Sequence, residues 1–258
     1  MNIAIIGAGN MGGATALGLA GALPNARITV TAKHAETLEK FAARGLQTSL
    51  DNVSAAADAD VVVLGVKPWL AQGVLAELKP ELAGKVLVSF VAGVPAADML
   101  SWLEGSGVMG AYTVIPNLAI EVGESMSFIH ELCGTPKTLA IVRSLFDSVG
   151  RTAVVDEKRL NAGMMLASCG TAFALRYVRA SAEGGVELGL YPQEALDAAL
   201  QTVRGAAALL AARGSHPEAE IDRVTTPGGI TIKGLNAMEE AGFTAAVIAG
   251  LKAWKPAK

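Results

Sequence analysis

The sequence predicts an α/β protein with a parallel sheet in its first half and an all-helical second half. Short apolar runs rich in β-branched residues alternate with helix-like segments as far as Asp156. Strand signals then stop, and apolar residues recur at three- and four-residue spacing instead. We therefore predict two domains, at residues 1–155 and 156–258.

The predicted strands are continuous apolar runs, which is typical of parallel strands covered on both faces. They are Asn2–Gly7, Arg27–Ala32, Ala59–Val66, Lys85–Val91, Gly107–Ile115, Ser125–His130 and Thr152–Asp156. Helices are predicted directly after Gly12, at Ala35–Gly45 and from about Trp69 to Leu82. This alternation indicates a doubly wound parallel sheet.

Composition and charge exclude several classes of protein. Of the 258 residues, 52% are hydrophobic and 17% are charged, which excludes a disordered chain, and the net charge of −3 does not indicate a nucleic-acid partner. No apolar run reaches the ~18–20 residues of a membrane span, and the N-terminus lacks the basic segment of a signal peptide. Cys133 and Cys169 have no metal-binding spacing with the scattered histidines, so we expect a metal-free cytoplasmic protein.

A glycine pattern, GAGNMG, runs from Gly7 to Gly12 between the first strand and a helix. This context is that of the Rossmann dinucleotide-binding fingerprint. Gly7 permits the tight turn, Gly9 removes a side chain from the path of the phosphates, and Gly12 lets the helix approach the strand. Asn10 and Met11 stand within this motif, and the helix that it opens has free N–H groups that favour an anion. The alternative, an ordinary strand–helix turn, is disfavoured by this position, and we predict an N-terminal Rossmann-type domain.

The residues that follow the second strand favour NADPH over NADH. Enzymes that use NAD commonly end this strand with a carboxylate for the ribose 2′-hydroxyl, whereas here the first one is Glu36. Thr31 could hydrogen-bond a 2′-phosphate, Lys33 could pair with it, and His34 could stack on adenine. The alternative is that Lys33 and His34 form a solvated loop. We expect NADPH as the cofactor, with NADH less preferred.

Further candidate residues stand at later strand ends, where open parallel sheets bind their ligands. They are Val66, Lys67, Pro68, Ala92 and Gly93. Lys67 is a candidate for contact with cofactor or substrate, although an exposed loop lysine is the commoner case. Asn52 stands at a helix start, where it could cap the helix, contact the cofactor or do both.

The second half is predicted to be helical. A long helix is expected from about Glu157 to Gly184, and Asn161–Ala174 within it carries no charge, which is typical of a helix buried in a core or between subunits. The other predicted helices are Gln193–Arg213, Thr231–Ala241 and Thr244–Trp254. Their Ala- and Leu-rich character favours a homodimer, with a monomeric bundle as the alternative.

The late segment Val224–Leu235 reads VTTPGGITIKGL and combines rigid, flexible and hydroxyl-bearing residues before a predicted helix. An ordinary turn with N-capping threonines would explain it. Alternatively, the backbone N–H groups from Gly229 to Thr231 stand at a helix start and suit a carboxylate.

Together, five segments of the chain resemble the Δ1-pyrroline-5-carboxylate reductases. They are IAIIGAGNMGGA, VVLGVKP, SFVAGV, VVDE and VTTPGGITIKGLNAMEEAGF, in family order over nearly the whole chain. The Pro-Gly-Gly-x-Thr part is the most specific. The resemblance implies an oxidoreductase acting on CH–NH donors, which reduces a cyclic imine carboxylate to L-proline with NAD(P)H. It also implies a Rossmann domain followed by a helical domain that forms a homodimer, often assembled into larger rings.

The resemblance also implies site residues. The glycine loop and Asn52 would bind the cofactor, and Lys67, Pro68, Ala92 and Gly93 would line its nicotinamide side. The substrate would be held by Thr226, Gly228, Gly229, Ile230 and Thr231. We predict Thr231 and Lys67 as the catalytic residues, with Thr231 hydrogen-bonding the imine nitrogen or the carboxylate.

Two segments depart from the family pattern. Ile115–Ala119 reads IPNLA where the family has Met-Pro-Asn-Thr-Pro, and Ala167–Ala172 reads ASCGTA where it has Gly-Ser-Gly-Pro-Ala. Two alternatives stay open: a reductase of another cyclic imine or of a β-hydroxyacid, and a non-catalytic NADP(H)-binding sensor. The β-hydroxyacid dehydrogenases use a lysine on the first long helix, and Asn161–Ala174 contains none.

Overall fold

The strands lie in the first part of the chain. The computed structural model describes residues 1–253, and the chain divides into Met1–Cys169, called unit 1, and Gly170–Lys258, called unit 2. The unit boundary therefore falls later in the chain than the predicted domain boundary at residue 155.

Unit 1 contains one sheet of eight strands. The strands are β1 (Asn2–Ile6), β2 (Arg27–Thr31), β3 (Gln47–Ser49), β4 (Val61–Leu64), β5 (Val86–Ser89), β6 (Gly110–Ile115), β7 (Ser125–Cys133) and β8 (Gly150–Val154). Their order is β3-β2-β1-β4-β5-β6-β7-β8, and β1 to β6 are all parallel. The sequence did not predict β3, because its residues Gln-Thr-Ser are polar and few.

Helices cover the sheet. They are α1 (Asn10–Ala22), α2 (Ala35–Ala42), α3 (Asn52–Ala57), α4 (Pro68–Leu78), α5 (Ala96–Leu103), α6 (Pro136–Asp147) and α7 (Glu157–Gly163). Short 3-10 helices follow at Lys79–Glu81 and Leu118–Val122, and a π-helical turn spans Met164–Cys169. The sequence missed α6, although its Thr135 cap is paired with Thr138 in a capping box.

Two apolar clusters flank the sheet, because successive side chains of a strand point to opposite faces. Ile3 and Ile5 of β1 belong to one cluster, which includes Leu19 of α1, Phe41 of α2 and Phe146 of α6. Ala4 and Ile6 belong to the other, which includes Leu75 and Leu78 of α4 and Met99 of α5. The predicted sheet covered on both faces is confirmed.

The sheet is not parallel throughout. β7 runs antiparallel to β6, with Val114 opposite Ile129, and β8 runs parallel to β7. The prediction of a parallel sheet was therefore wrong for this edge. The β6–β7 connection carries no crossover helix and holds the 3-10 helix Leu118–Val122 instead, so the chain reverses direction.

Unit 2 consists of helices throughout its described residues. They are α8 (Gly170–Glu187), α9 (Pro192–Arg213), α10 (Pro217–Val224), α11 (Ile230–Glu240) and α12 (Phe243–Lys252). The predicted long helix is thus two helices with the π-helical turn between them, and the short α10 was not predicted. The predicted last residue of the final helix, Trp254, lies outside the described residues.

Few apolar side chains of unit 2 are buried. Within residues 170–253, the buried apolar residues are Val178, Ala182 and Ala195. Large apolar side chains are exposed on several helices, for example Leu188 at 89% and Ile230 at 87%. An exposed apolar surface of this kind indicates an interface.

Candidate functional site

The glycine loop between β1 and α1 has the geometry that a pyrophosphate requires. Gly7 has a φ of +105°, and a Cβ at Gly12 would lie 2.1 Å from the Gly7 carbonyl oxygen. No atom stands within 4 Å of a Cβ built at Gly9. Helix α1 starts at Asn10 without a side-chain cap or an acidic residue in its first turn. Its first N–H groups, including those of Met11 and Gly12, are therefore available to an anion.

Thr31, at the end of β2, joins this loop to α3. The Gly7 N–H donates to Thr31 Oγ1 (3.2 Å), and this hydroxyl in turn donates to Asn52 Oδ1 (2.7 Å). The Ala8 N–H also donates to the Thr31 carbonyl (2.8 Å). One side chain thus connects two segments of the candidate cofactor site.

The buried position of Thr31 changes its expected role. The residue is 0% exposed, and both hydrogen-bonding partners of its hydroxyl are protein groups. The expected direct bond from Thr31 to a 2′-phosphate does not hold, and Thr31 instead positions the groups around it. Lys33 and His34 are exposed directly after β2, where α2 begins without a side-chain cap.

Asn52 does not cap α3. The cap is Asp51, whose Oδ1 accepts from the N–H groups of Val53 (2.9 Å) and Ser54 (3.3 Å). Asn52 is the first residue of the helix and is half-buried. Because its Oδ1 accepts from Thr31, the amide N–H groups of its side chain point away from that bond and can donate to a ligand.

The carboxyl ends of β4 and β5 carry the next predicted residues. Val66 is half-buried, whereas Lys67 and Pro68 are exposed at the start of α4. After β5, Ala92 is half-buried and Gly93 adopts a φ of +79°. Since β4 and β5 are parallel neighbours, the two segments lie at the same edge of the sheet.

The sequence did not indicate the contact that Glu157 makes with the segment after β5. Its Oε1 accepts from the N–H of Ala96 (2.8 Å), the first residue of α5. The contact joins positions 61 residues apart in the chain, so no local pattern could have indicated it.

The two segments that depart from the family pattern contact each other. Asn117, only 8% exposed, donates from Nδ2 to the Ala167 carbonyl in the π-helical turn (3.3 Å). Its Oδ1 accepts from the Ala119 N–H (3.0 Å). Leu118 lines a cavity of about 360 Å³ together with Gly9 and Asn10 of the glycine loop. The segment around Leu118 therefore lies beside the glycine loop, and Asn117 connects that segment to the π-helical turn.

In unit 2, the Pro-Gly-Gly segment forms a tight turn before α11. The Gly229 N–H donates to the Thr226 carbonyl (2.9 Å), and Gly228 has a φ of +71°. With Pro227 before the positive-φ glycine, these are the features of a type II turn. A Cβ at Gly229 would lie 2.5 Å from Thr226 Oγ1, so a larger residue there would displace this hydroxyl.

The turn leaves a set of unused donors. Helix α11 starts at Ile230, and Gly229 provides no side-chain cap. Its first N–H groups therefore lack intrahelical acceptors. Thr231 is half-buried on the first turn, and Thr226 is exposed on the turn itself. This cradle, defined as Thr226–Thr231, suits a carboxylate.

Neither a metal-binding cluster nor a membrane-spanning helix is found among the described residues. Residues 1–253 hold no cluster of three or more His, Cys, Asp or Glu side chains that could bind a metal ion. None of the helices in the same range is long and apolar enough to cross a membrane.

The fold and the glycine loop define a dinucleotide-dependent oxidoreductase with a helical second unit. Residues 2–93 match the family described as NADP oxidoreductase, coenzyme F420-dependent, and residues 157–256 match pyrroline-5-carboxylate reductase dimerisation. The chain belongs to the pyrroline-5-carboxylate reductase family, as its sequence indicated.

Three relatives illustrate the match. Pyrroline-5-carboxylate reductase 2 of Dictyostelium discoideum is 34% identical over 97% of this chain and 89% of its own. The Arabidopsis thaliana reductase is 37% identical over 97% and 93%. The crystal structure of Plasmodium falciparum pyrroline carboxylate reductase with NADP bound has a TM-score of 0.86 and 25% identity, over 98% of this chain and 95% of that one.

Proposed function

We propose that the protein reduces 1-pyrroline-5-carboxylate to L-proline with NADPH, by hydride transfer to the C=N bond. The cradle Thr226–Thr231 carries this proposal, because it offers uncapped helix N–H groups and two hydroxyls to a small carboxylate. Membership of the reductase family supports the same substrate.

The glycine loop fits a dinucleotide, because open space at Gly9 adjoins the uncapped start of α1. Gly9, Asn10, Met11 and Gly12 would hold the pyrophosphate, and Asn52 would donate to the cofactor beside them. When bound, the reduced nicotinamide supplies the hydride. Val66, Lys67, Pro68, Ala92 and Gly93 would line the nicotinamide side.

The protein's own task is to bind and orient the imine. The N–H groups of Ile230 and Thr231 would hold the substrate carboxylate, with Gly228 and Gly229 leaving the approach open. The Thr231 hydroxyl can donate to or accept from the imine nitrogen. A cyclic imine is basic enough to be partly protonated near neutral pH, so Thr231 need not act as a strong acid. Lys67, whose side chain is exposed at the end of β4, would add a positive charge near the reacting ring.

We also propose the finer features of the enzyme. Lys33 and His34, with no carboxylate before Glu36, support the preference for NADPH over NADH. The match to a dimerisation family and the exposed apolar residues of unit 2 support a homodimer, and we extend this proposal to assembly of dimers into a ring. A cytoplasmic location stays a prediction from the cysteine content.

The direct test is turnover. The purified protein with NADPH and 1-pyrroline-5-carboxylate should oxidise NADPH and form proline in equal amounts. The matched substrate 1-pyrroline, which lacks the carboxylate, should have a kcat/KM lower by about 10- to 100-fold, since a hydrogen bond to a charged group contributes about 1.5–3 kcal/mol.

Other outcomes point to the alternatives. Equal turnover of both imines would contradict the role of the cradle. Tight NADPH binding without turnover of any cyclic imine would favour the sensor, and turnover of a β-hydroxyacid instead would favour that class of dehydrogenase.

A further inference from the structure

Glu220 stands in the middle of α10 and forms a cluster that the reaction does not explain. It accepts from Arg213 Nη1 with one carboxylate oxygen and from Arg223 Nη1 (2.8 Å) with the other. The Ser215 hydroxyl also donates to it. The cluster therefore joins the last residue of α9, the connection to α10, and the last turn of α10.

This cluster differs from the other described ion pairs. The side chain of Glu220 is 12% exposed, whereas the carboxylates paired with Arg159 and Arg179 are 59% and 62% exposed. Among the described pairs, Glu220 alone receives two arginines. The Ser215 hydrogen bond, together with Arg213 and Arg223, holds the pKa of the Glu220 carboxyl below its ordinary value, although partial burial opposes this. An exposed pair contributes little to stability, but a covered cluster can fix a geometry.

Helix α10 has little else to fix its position. It has eight residues, none of them buried, and isolated helices of this length are marginal in water. Its first turn is capped by His216, whose Nδ1 accepts from the Glu218 N–H (3.3 Å). The Glu220 cluster provides its link to α9.

The cradle continues directly from this helix. The Thr225 N–H donates to the Ile221 carbonyl (3.0 Å), and its hydroxyl contacts the Asp222 carbonyl (3.2 Å). The turn at Thr226 follows at once. Since these bonds attach the start of the cradle to the last turn of α10, a displacement of α10 would displace Thr226 and the start of α11.

We propose that Glu220 is a positioning residue for the substrate: it fixes α10 to the end of α9 and so holds the cradle Thr226–Thr231 in its binding geometry. This inference rests on the proposed function, in which the cradle takes the imine carboxylate. Glu220 itself does not contact the substrate.

The test compares Glu220→Gln and Glu220→Ala with the control Glu218→Gln. Glu218 lies on the same helix and is exposed, so its substitution removes the same charge without altering the cluster. We expect the KM for 1-pyrroline-5-carboxylate to rise about tenfold or more in both Glu220 variants, which corresponds to the strength of one hydrogen bond to a charged group. The KM for NADPH should stay within about twofold of wild type, because the glycine loop belongs to unit 1. Equal changes in both constants, or none, would overturn the proposal.

A second measurement does not depend on turnover. Hydrogen–deuterium exchange of the amides at 225–231 should accelerate in Glu220→Gln but not in Glu218→Gln, and unchanged exchange would overturn the inference. Arg213→Ala should raise the KM for 1-pyrroline-5-carboxylate and accelerate this exchange in the same way. Because the two residues share one contact, the double variant Arg213→Ala with Glu220→Ala should change both quantities little more than either single variant does. Effects that multiply in the double variant would contradict the shared contact. A wild-type protein that reduces no cyclic imine would refute the proposed function, and the exchange result would still decide whether Glu220 holds the cradle.

Discussion

Two glycine-rich loops of this protein precede uncapped helices, and they are supported in different ways. The loop of unit 1 lies between β1 and α1, where Gly12 contacts the Gly7 carbonyl so closely that no Cβ fits. The cradle of unit 2 is exposed, and a Cβ at Gly228 would meet no atom within 4 Å. The first loop depends on the packing of a sheet, whereas the second depends on local turn chemistry and the Glu220 cluster.

The same kind of candidate anion site, a glycine-rich loop before an uncapped helix, is thus built on two kinds of support. The first loop is constrained because Gly12 of α1 and Gly65 after β4 pack so closely on Gly7 that other conformations are excluded. A turn on a helical unit is held by Pro227, by one backbone hydrogen bond and by the position of the preceding helix. Substitutions should therefore affect stability in the first loop and substrate handling in the second.

The largest effect is expected for Gly12→Ala. The new Cβ would lie 2.1 Å from the Gly7 carbonyl oxygen, and overpacking of this kind lowers the free energy of unfolding by about 1–3 kcal/mol. Urea unfolding measures this change in the free energy of unfolding. The control is Gly21→Ala in the same helix, where the added methyl group has open space and should raise stability by up to about 1 kcal/mol. Equal stability of the two variants would mean that the sheet does not constrain the loop.

Thr231→Ala should affect the reaction rather than stability. Loss of its hydroxyl should lower kcat/KM for the imine by about 10- to 100-fold, as for a hydrogen bond to a charged group. The Kd for NADPH should change by less than about twofold, because the glycine loop is untouched. Steady-state kinetics and a cofactor titration measure the two quantities.

The matched control for Thr231 is Thr244→Ala at the start of α12. That hydroxyl donates to Glu239 Oε2 (2.7 Å), so its loss removes a helix-start hydroxyl outside the cradle. If kcat/KM for the imine fell equally in both variants, or if Thr231→Ala bound NADPH more weakly, the proposed contact between Thr231 and the substrate would be contradicted.

The smallest effect is expected for Lys33→Gln. An exposed ion pair contributes up to about 1 kcal/mol, so the KM for NADPH should rise by about fivefold while the KM for NADH stays the same. Lys137→Gln on α6 serves as the control, because Lys137 is exposed and does not line the cavity beside the glycine loop. An unchanged ratio of the KM for NADPH to the KM for NADH would contradict a contact between Lys33 and the 2′-phosphate.

Much of unit 1 could be predicted because its signals are local. The apolar runs of β1, β2, β4 and β5 and the glycine loop report the buried sheet directly. The antiparallel β7 could not be read in this way, since strand direction depends on a connection and not on composition. Helix α10 was missed because its eight residues carry too little periodicity.

The candidate site was predictable where one residue type has a backbone role. Gly7, Gly12 and Gly228 lie where a positive φ or a close approach requires them. The role of Thr31 could not be derived from sequence, because a hydroxyl at a strand end can face a ligand or the protein. The contacts of Glu157 and Glu220 join different elements of the fold, so no residue spacing in the sequence predicts them.

The Thr31 hydroxyl has a consequence for the thermodynamics of cofactor binding. It holds the backbone of Gly7 and the side chain of Asn52 through bonds that exist without any ligand. The conformational entropy of both groups is therefore lost when the chain folds and not when the dinucleotide arrives. Such preorganisation raises affinity without adding a contact, so we expect the buried hydroxyl of Thr31 to strengthen cofactor binding through the two groups that it holds.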